Sequence, residues 1–242
     1  MPLTFYTAEI IDIVDEVPNV KRFFFRIEEL NKCDFIPGQF TMLDLPIDCK
    51  QTTRAYSIAS APSTSENTFE LVIVLKDGGL GTTYLFNKAK KGDKLKVSVP
   101  IGKFGKPRPD LFEKELCFVC TGTGIAPFRS MLLDILNYKI PHKGITLISG
   151  SRYEKDLLYR KEMEELQEKL PGFKYIPVLS RENSVDWKGE KGYVHEIYKS
   201  LYKDKIDIQF YICGWKVMIL EAVENLKQMG FKKADVKYEL YD

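Results

Sequence analysis

Residues 54–60 read Arg-Ala-Tyr-Ser-Ile-Ala-Ser. A guanidinium and a phenol stand two residues apart, at Arg54 and Tyr56, with the Ser57 hydroxyl beside them. In a strand, alternate residues share a face, so Arg54 and Tyr56 fall on one side. An arginine fork matches a phosphate, and a tyrosine offers a flat apolar face with a polar tip. None of the three is a choice that builds a core.

A second constellation is Thr-Gly-Thr-Gly-Ile-Ala-Pro at 121–127, which follows an apolar run and opens a helical pattern. Backbone amides at a helix start favour an anion, and glycine lets a phosphate approach the backbone. Gly122 and Gly124 suit that role. The third position of the usual dinucleotide fingerprint is Pro127 here rather than glycine. In a strand–turn–helix setting, pyrophosphate binding is favoured over a plain turn. Gly-Gly-Leu-Gly-Thr-Thr-Tyr-Leu, residues 78–85, is also glycine-rich and precedes a helix. Alone it reads as a hairpin and helix cap, but two such loops suggest two nucleotide-like ligands. The third constellation, Cys-Gly-Trp-Lys-Val-Met-Ile at 213–219, follows another strand-like run. Open α/β sheets hold their ligands at such strand ends, although a cysteine there also suits a core.

The elements that must position these residues fall into two rhythms. Residues 4–14, 20–28, 40–46, 54–60, 68–76 and 93–100 are short β-prone segments separated by Pro-Gly-Gln, Ala-Pro-Ser-Thr-Ser-Glu-Asn and Lys-Gly-Asp turns. Six such strands predict a small antiparallel barrel or sandwich. One helix interrupts them at 81–90, starting after Gly81 with Thr82 or Thr83 near its N-cap. After about residue 110 strands and helices alternate, which predicts an α/β domain with a parallel sheet covered by helices on both faces. Proline and glycine cluster at 102–112, so two domains are expected, 1–108 and 109–242.

The chain has 242 residues and a net charge of +2, which provides no field for nucleic acid or an anionic membrane. No apolar run is long enough to span a bilayer, and Met-Pro-Leu-Thr-Phe-Tyr-Thr-Ala lacks a basic region ahead of an apolar stretch. A cytoplasmic location is expected. The five cysteines are Cys33, Cys49, Cys117, Cys120 and Cys213. An odd count argues against a disulfide framework. Cys117 and Cys120 form a Cys-x-x-Cys inside an apolar run with no second pair or nearby histidine, so they are expected to be structural, and no metal is expected. His142 and His195 belong to no motif.

Taken together, Arg-x-Tyr-Ser, Gly-x-x-Thr, Gly-Thr-Gly-Ile-Ala-Pro-Phe-Arg-Ser and Cys-Gly-x-x-x-Met occur in an order that resembles the ferredoxin–NADP reductase superfamily over nearly the whole chain. Pro-Gly-Gln-Phe at 37–40 resembles its strand leading toward the flavin. The resemblance implies a flavin-binding, six-stranded antiparallel β-barrel of Greek-key type followed by a pyridine-nucleotide α/β domain. It implies FAD held by the Arg54, Ala55, Tyr56 and Ser57 stretch: Arg54 on the phosphate, Tyr56 against the ring, Ser57 near the reactive N5. Gly81, Thr82 and Thr83 would face its pyrophosphate, with Gly79 allowing the turn. It implies NADP(H) on Thr123, Gly124 and Pro127, with Cys213, Gly214 and Met218 at the second strand end. Residues 179–194 resemble the segment of NADPH-preferring members, which places Ser180, Arg181, Lys191 and Tyr193 around a 2′-phosphate. Glu182 and Asp186 lie nearby. The ending Lys-Tyr-Glu-Leu-Tyr-Asp resembles that of plant-type members: Glu239 matches a positioning or proton-relay carboxylate, and Tyr241 an aromatic stacking on the flavin, although Asp242 follows it here. The implied reaction is hydride transfer between nicotinamide and flavin, with Ser57, Cys213, Glu239 and Tyr241 at the rings. The implied partner is a one-electron carrier such as ferredoxin or flavodoxin, docked on Lys21, Arg22, Lys103, Lys106 and Arg108, and the implied state is a monomer. The alternatives are an oxygenase reductase component, a free-flavin reductase, or an electron-transfer subunit of a larger flavoprotein complex.

Overall fold

The computed structural model describes every residue except 1–2, 49, 51, 63–65, 107, 109–111, 205–206 and 242. Cys49, Asp242 and part of the expected boundary therefore lie outside the described residues. The chain divides into two compact units, Met1–Arg108 with Arg129–Asp134, and Pro109–Phe128 with Ile135–Asp242.

The first unit holds six strands and one helix: β1 (Phe5–Val17), β2 (Val20–Ile27), β3 (Phe40–Asp44), β4 (Thr53–Ser57), β5 (Thr68–Val74), α1 (Leu80–Asn87) and β6 (Lys94–Ser98). The six strands fall on the six β-prone segments, while the helix starts at Leu80, ahead of the expected start after Gly81. Their order in the sheet is β4-β3-β6-β1-β2-β5, with every pairing antiparallel. β1 pairs β6 through Phe5–Glu9 and β2 through most of its length. Register shifts after Ile10 and Asp15 bend the long strand, as bulges do. The two ends of the sheet meet: an isolated bridge joins Ile58, just past β4, to Leu71 of β5. The Ala59 amide donates to the Glu70 carbonyl at 2.8 Å, and the Glu70 amide to Ser60 Oγ at 3.1 Å. The sheet is thereby closed. Phe23, Phe25, Leu43, Ile58, Leu71 and Val97 fill its interior, each burial worth roughly 1.5–3 kcal/mol.

The second unit alternates as expected: β7 (Glu115–Thr121), α2 (Ala126–Tyr138), β8 (Ile145–Ser151), α3 (Arg160–Lys169), β9 (Phe173–Leu179), β10 (Glu190–Lys191), α4 (Val194–Leu201), β11 (Ile208–Trp215), α5 (Lys216–Gln228) and β12 (Val236–Tyr241). The middle of α2, Arg129–Asp134, belongs with the first unit. The sheet is parallel, in the order β10-β9-β8-β7-β11-β12. The chain leaves β7 toward β8 on one side and returns to β11 on the other. The C-terminal ends of β7 and β11 therefore flank the switch point where such sheets bind ligands. The two-residue β10 is too short to leave a periodic signal, and the sequence did not reveal it. Cys117 and Cys120 are fully buried in β7, three residues apart and so on opposite faces. Among the described residues no cluster could hold a metal ion, and no helix is long and apolar enough to cross a membrane.

Candidate functional site

In the first unit, β4 pairs β3 with Arg54 opposite Leu43, Ala55 opposite Met42, Tyr56 opposite Thr41 and Ser57 opposite Phe40. Directly opposed residues share a face, so Arg54 and Tyr56 stand together with the core residue Leu43. Ala55 and Ser57 belong to the other face. Tyr56 packs on the barrel core. Burial pushes its phenol up to about 12, with the Arg54 charge pulling partly back, so the ring stays neutral and keeps its O–H donor at ordinary pH.

Arg54 reaches α1. A Cβ on Gly81 would lie 3.0 Å from Leu45 Cδ1 and 3.1 Å from Arg54 Cγ. The arginine stem thus crosses the first turn of the helix, and the bare Gly81 makes the room. The helix N-cap is Gly79, not Thr82 or Thr83, and the first turn carries no acidic residue. The reason is local: the Thr82 hydroxyl accepts the Lys76 amide at 3.1 Å and donates back toward the Gly79 and Lys76 carbonyls at 3.2 and 3.3 Å. It fastens the turn rather than facing a ligand, while Thr83 is exposed on the helix. A guanidinium beside an uncapped helix start is an anion cradle. It fits the diphosphate of a flavin nucleotide.

In the second unit, Gly122–Ile125 forms a tight 3-10 turn between β7 and α2, and Pro127 lies in the first turn of α2, where its missing N–H costs nothing. Gly122 has φ +54°, which favours glycine. Gly124 is glycine for a different reason from the expected one. A Cβ there would lie 2.3 Å from the Cys213 carbonyl oxygen and 2.8 Å from Gly214 Cα. The bare backbone is needed against the end of β11, within the protein. Gly214 reciprocates: at φ +136°, its Cβ would meet Thr121 Oγ1 at 2.5 Å. Thr121 Oγ1 accepts the Trp215 amide at 3.2 Å. The two strand ends are thus locked together, leaving Gly122 and Thr123 half-buried at the turn. Trp215, which the motif reading left out, is 64% exposed, with its indole Nε1 3.9 Å from where a Gly122 Cβ would stand. An exposed tryptophan following Cys-Gly was the available signal.

β12 runs parallel to β11 and brings Glu239 opposite Cys213 and Tyr241 opposite Trp215. The Cys213 thiol is pushed well above its usual range by burial and then by the Glu239 charge, while the nearby Tyr241 hydroxyl acts the other way. Cys213, Glu239 and Tyr241 are therefore assembled as one group. Cys213 is a neutral thiol there. Met218 packs among Ile212, Ile219 and Ala222 in the core of this unit, so its side chain is a packing element.

Beyond β9, the Ser180 and Arg181 amides donate to the carbonyls of Ser151 and Arg152 at 3.0 and 2.9 Å, extending the parallel pairing. Arg181, Lys191 and Tyr193 are exposed, and Ser180 is half-buried. A cavity of about 470 Å³ next to them is lined by Tyr153, Glu154, Lys155, Arg160 and Glu182. The Glu182 carboxylate accepts the Ser184 and Glu154 amides at 2.9 and 3.2 Å. These hold it below the ordinary carboxylate range, with Lys191 helping. Arg160 pairs with Glu154 and Glu164.

The expected carrier surface shrinks. Arg22 grips Glu70 at 2.6 Å with its side chain mostly buried, and Arg108 is held by Asp134 at 3.1 Å. Lys21 contacts Asp15 at 3.8 Å. Lys103 and Lys106 are the exposed cations of the set besides Arg108. Buried carboxylates had captured arginines that look superficial in sequence.

Comparison with known proteins matches this geometry to a family. Residues 7–105 match the oxidoreductase FAD-binding domain, and 118–224 the oxidoreductase NAD-binding domain. The chain is 32% identical over 238 residues to the phenol hydroxylase P5 protein of Acinetobacter pittii, which covers 98% of this chain but 65% of that protein's length. It is 32% identical over 248 residues to ferredoxin–NADP reductase B of Sorangium cellulosum, covering 98% of both. A solved ferredoxin NADP+ reductase of Neisseria gonorrhoeae with bound FAD and NADP superposes with a TM-score of 0.79 at 25% identity, over 99% of both chains. With an FAD-binding domain model matched on the barrel, an NAD-binding domain model on the α/β unit and a relative matched end to end, the chain belongs to the ferredoxin–NADP reductase family.

Proposed function

We propose that the chain is an NADPH-preferring, FAD-dependent reductase that passes electrons singly to a small acidic carrier protein of the ferredoxin or flavodoxin kind. The observation that supports this reading is the Arg54 side chain laid across Gly81 at the start of α1, which puts a cation beside a helix N-terminus suited to an anion. When bound, FAD supplies hydride exchange with nicotinamide and releases electrons one at a time. The residues of the chain supply the placement. Arg54 and the first turn of α1 hold the diphosphate and Tyr56 supports the ring, while Ser57 ends the same strand on its other face. In the other unit, the Gly122–Thr123 turn receives the nicotinamide dinucleotide's pyrophosphate. Cys213, Glu239 and Tyr241 position the ring, with the cysteine as a neutral thiol rather than a nucleophile. Arg181 and Lys191 with Ser180 offer the positive charge and donors that a 2′-phosphate needs.

A second acceptor is favoured by one comparison: the phenol hydroxylase relative points to an oxygenase component instead of a carrier. The cofactor chemistry is the same in both. The test is an anaerobic titration of the purified chain, reconstituted with FAD, with NADPH and NADH in parallel. The flavin band should bleach at a roughly tenfold lower concentration of NADPH. Bleaching by NADH at the lower concentration overturns the 2′-phosphate site, where the carboxylate of Glu182 would then meet the ribose hydroxyl. No flavin binding overturns the whole reading.

A further inference from the structure

The seam that closes the barrel starts one residue after Ser57, at the Ile58–Leu71 bridge. Behind it lies a buried charge cluster. The Glu70 carboxylate, 5% exposed, accepts Arg22 Nε at 2.6 Å and Arg22 Nη2 at 3.1 Å. It also accepts Arg129 Nη1 at 3.0 Å, and the same Nη1 donates to the Ala59 carbonyl at 2.8 Å. Arg22 further contacts Glu16 at 3.5 Å, so the cluster pairs two cations with two carboxylates. Arg129 is the member that touches both sides of the seam: Glu70 on the β5 side and Ala59 on the β4 side. Burying such a cluster is not a cheap way to gain stability, since apolar residues of equal volume often do as well. Its use lies in geometry: a planar fork fixes direction as a packed aliphatic does not.

We propose that Arg129 is a positioning residue for the flavin. By clasping Glu70 and the Ala59 carbonyl, it fixes residues 58–60 and so sets the attitude of Arg54, Tyr56 and Ser57 on the strand leading into the seam. The inference rests on the flavin reading given above. Arg129 itself touches no cofactor; it acts through the strand.

Arg129→Lys retains a cation for Glu70 but loses the fork. In the flavin-free chain, amide hydrogen exchange at Ile58, Ala59 and Leu71 should quicken about tenfold, with β1 and the β1–β2 pairing unchanged. The FAD dissociation constant, read by quenching of flavin fluorescence, should rise about tenfold. Arg22→Lys, which disturbs Glu70 without touching Ala59, should lower the melting temperature yet leave FAD affinity within about twofold. Equal FAD affinity in wild type and Arg129→Lys overturns the inference, as does an equal loss in Arg22→Lys and Arg129→Lys. If Arg129→Lys does not fold, Ser60→Ala opens the same seam by removing the acceptor of the Glu70 amide, and unchanged FAD affinity there overturns the inference too. A wild-type chain that binds no FAD overturns the flavin reading and this inference together, so the two failures are told apart.

Discussion

Gly124 has two competing explanations, and one substitution separates them. If the residue is bare so that a phosphate can approach, Gly124→Ala impairs nucleotide binding and leaves the nucleotide-free protein intact. If it is bare because β11 lies against it, the protein itself suffers. The added Cβ would stand 2.3 Å from the Cys213 carbonyl oxygen, where ordinary contact begins at 3.4 Å. Something must move by about 1 Å. The obstructing atoms are backbone, in a strand bonded on both sides to β7 and β12, so they yield poorly. Overpacking of this kind costs about 3 kcal/mol or more, which in a chain of this size lowers the melting temperature by about 6–12 °C. Gly122→Asn is the control. Its φ of +54° is one that asparagine tolerates, and only Trp215 Nε1 lies near, at 3.9 Å, so its melting temperature should fall by no more than about 2 °C. The assay is thermal unfolding by circular dichroism without nucleotide. A Gly124→Ala protein that melts like wild type while losing NADPH affinity would refute the packing argument.

Two further outcomes follow from the same geometry. Arg54→Ala removes charge-assisted contacts worth about 1.5–3 kcal/mol, so the FAD dissociation constant should rise about 10- to 150-fold in a fluorescence titration; an unchanged constant removes Arg54 from the cradle. His142 and His195 both have their protonation shifted down by burial, partly opposed in His195 by Glu221 at 3.1 Å. The unfolded chain thus takes up these protons first as pH drops below about 6.5. Their contribution to stability is present above that pH and is lost on acidification, so the melting temperature should fall from pH 7.5 to 5.5. The double variant His142→Gln/His195→Gln should show a shallower fall, and equal slopes would contradict the assignment.

The two-domain architecture was legible because its signals are periodic. The β-prone runs at 20–28 and 68–76, bounded by turn residues, and the switch to strand–helix rhythm after 110 are repeating local signals that the sequence carries. Arg54 stood out because a guanidinium is a poor choice for a core, but that Tyr56 packs on the barrel core was not legible. Long-range partners were not legible. That Gly124 answers to Cys213, that Thr82 ties back to Lys76, and that Arg22 and Arg129 converge on Glu70 are matters of tertiary approach, which no local pattern encodes. Arg129 stands within the motif Gly-Thr-Gly-Ile-Ala-Pro-Phe-Arg-Ser, yet a helix arginine gives no sign in sequence that it is buried. The two-residue β10 was lost for want of length.

Closure of the barrel seam also bears on self-association. An unpaired strand edge is a template for another chain, and Phe-Glu-Leu-Val-Ile at 69–73 is an apolar β-prone run whose single charge is Glu70. While Ile58 and Leu71 are bridged, that edge is occupied. The parallel sheet guards its two edges differently: β10 is only two residues long, one acidic and one basic, and β12 carries Lys237 and Glu239. On warming, then, the barrel unit becomes sticky when its seam parts. Turbidity at high protein concentration should set in with the loss of the Ala59–Glu70 pairing, ahead of any unravelling of the parallel sheet.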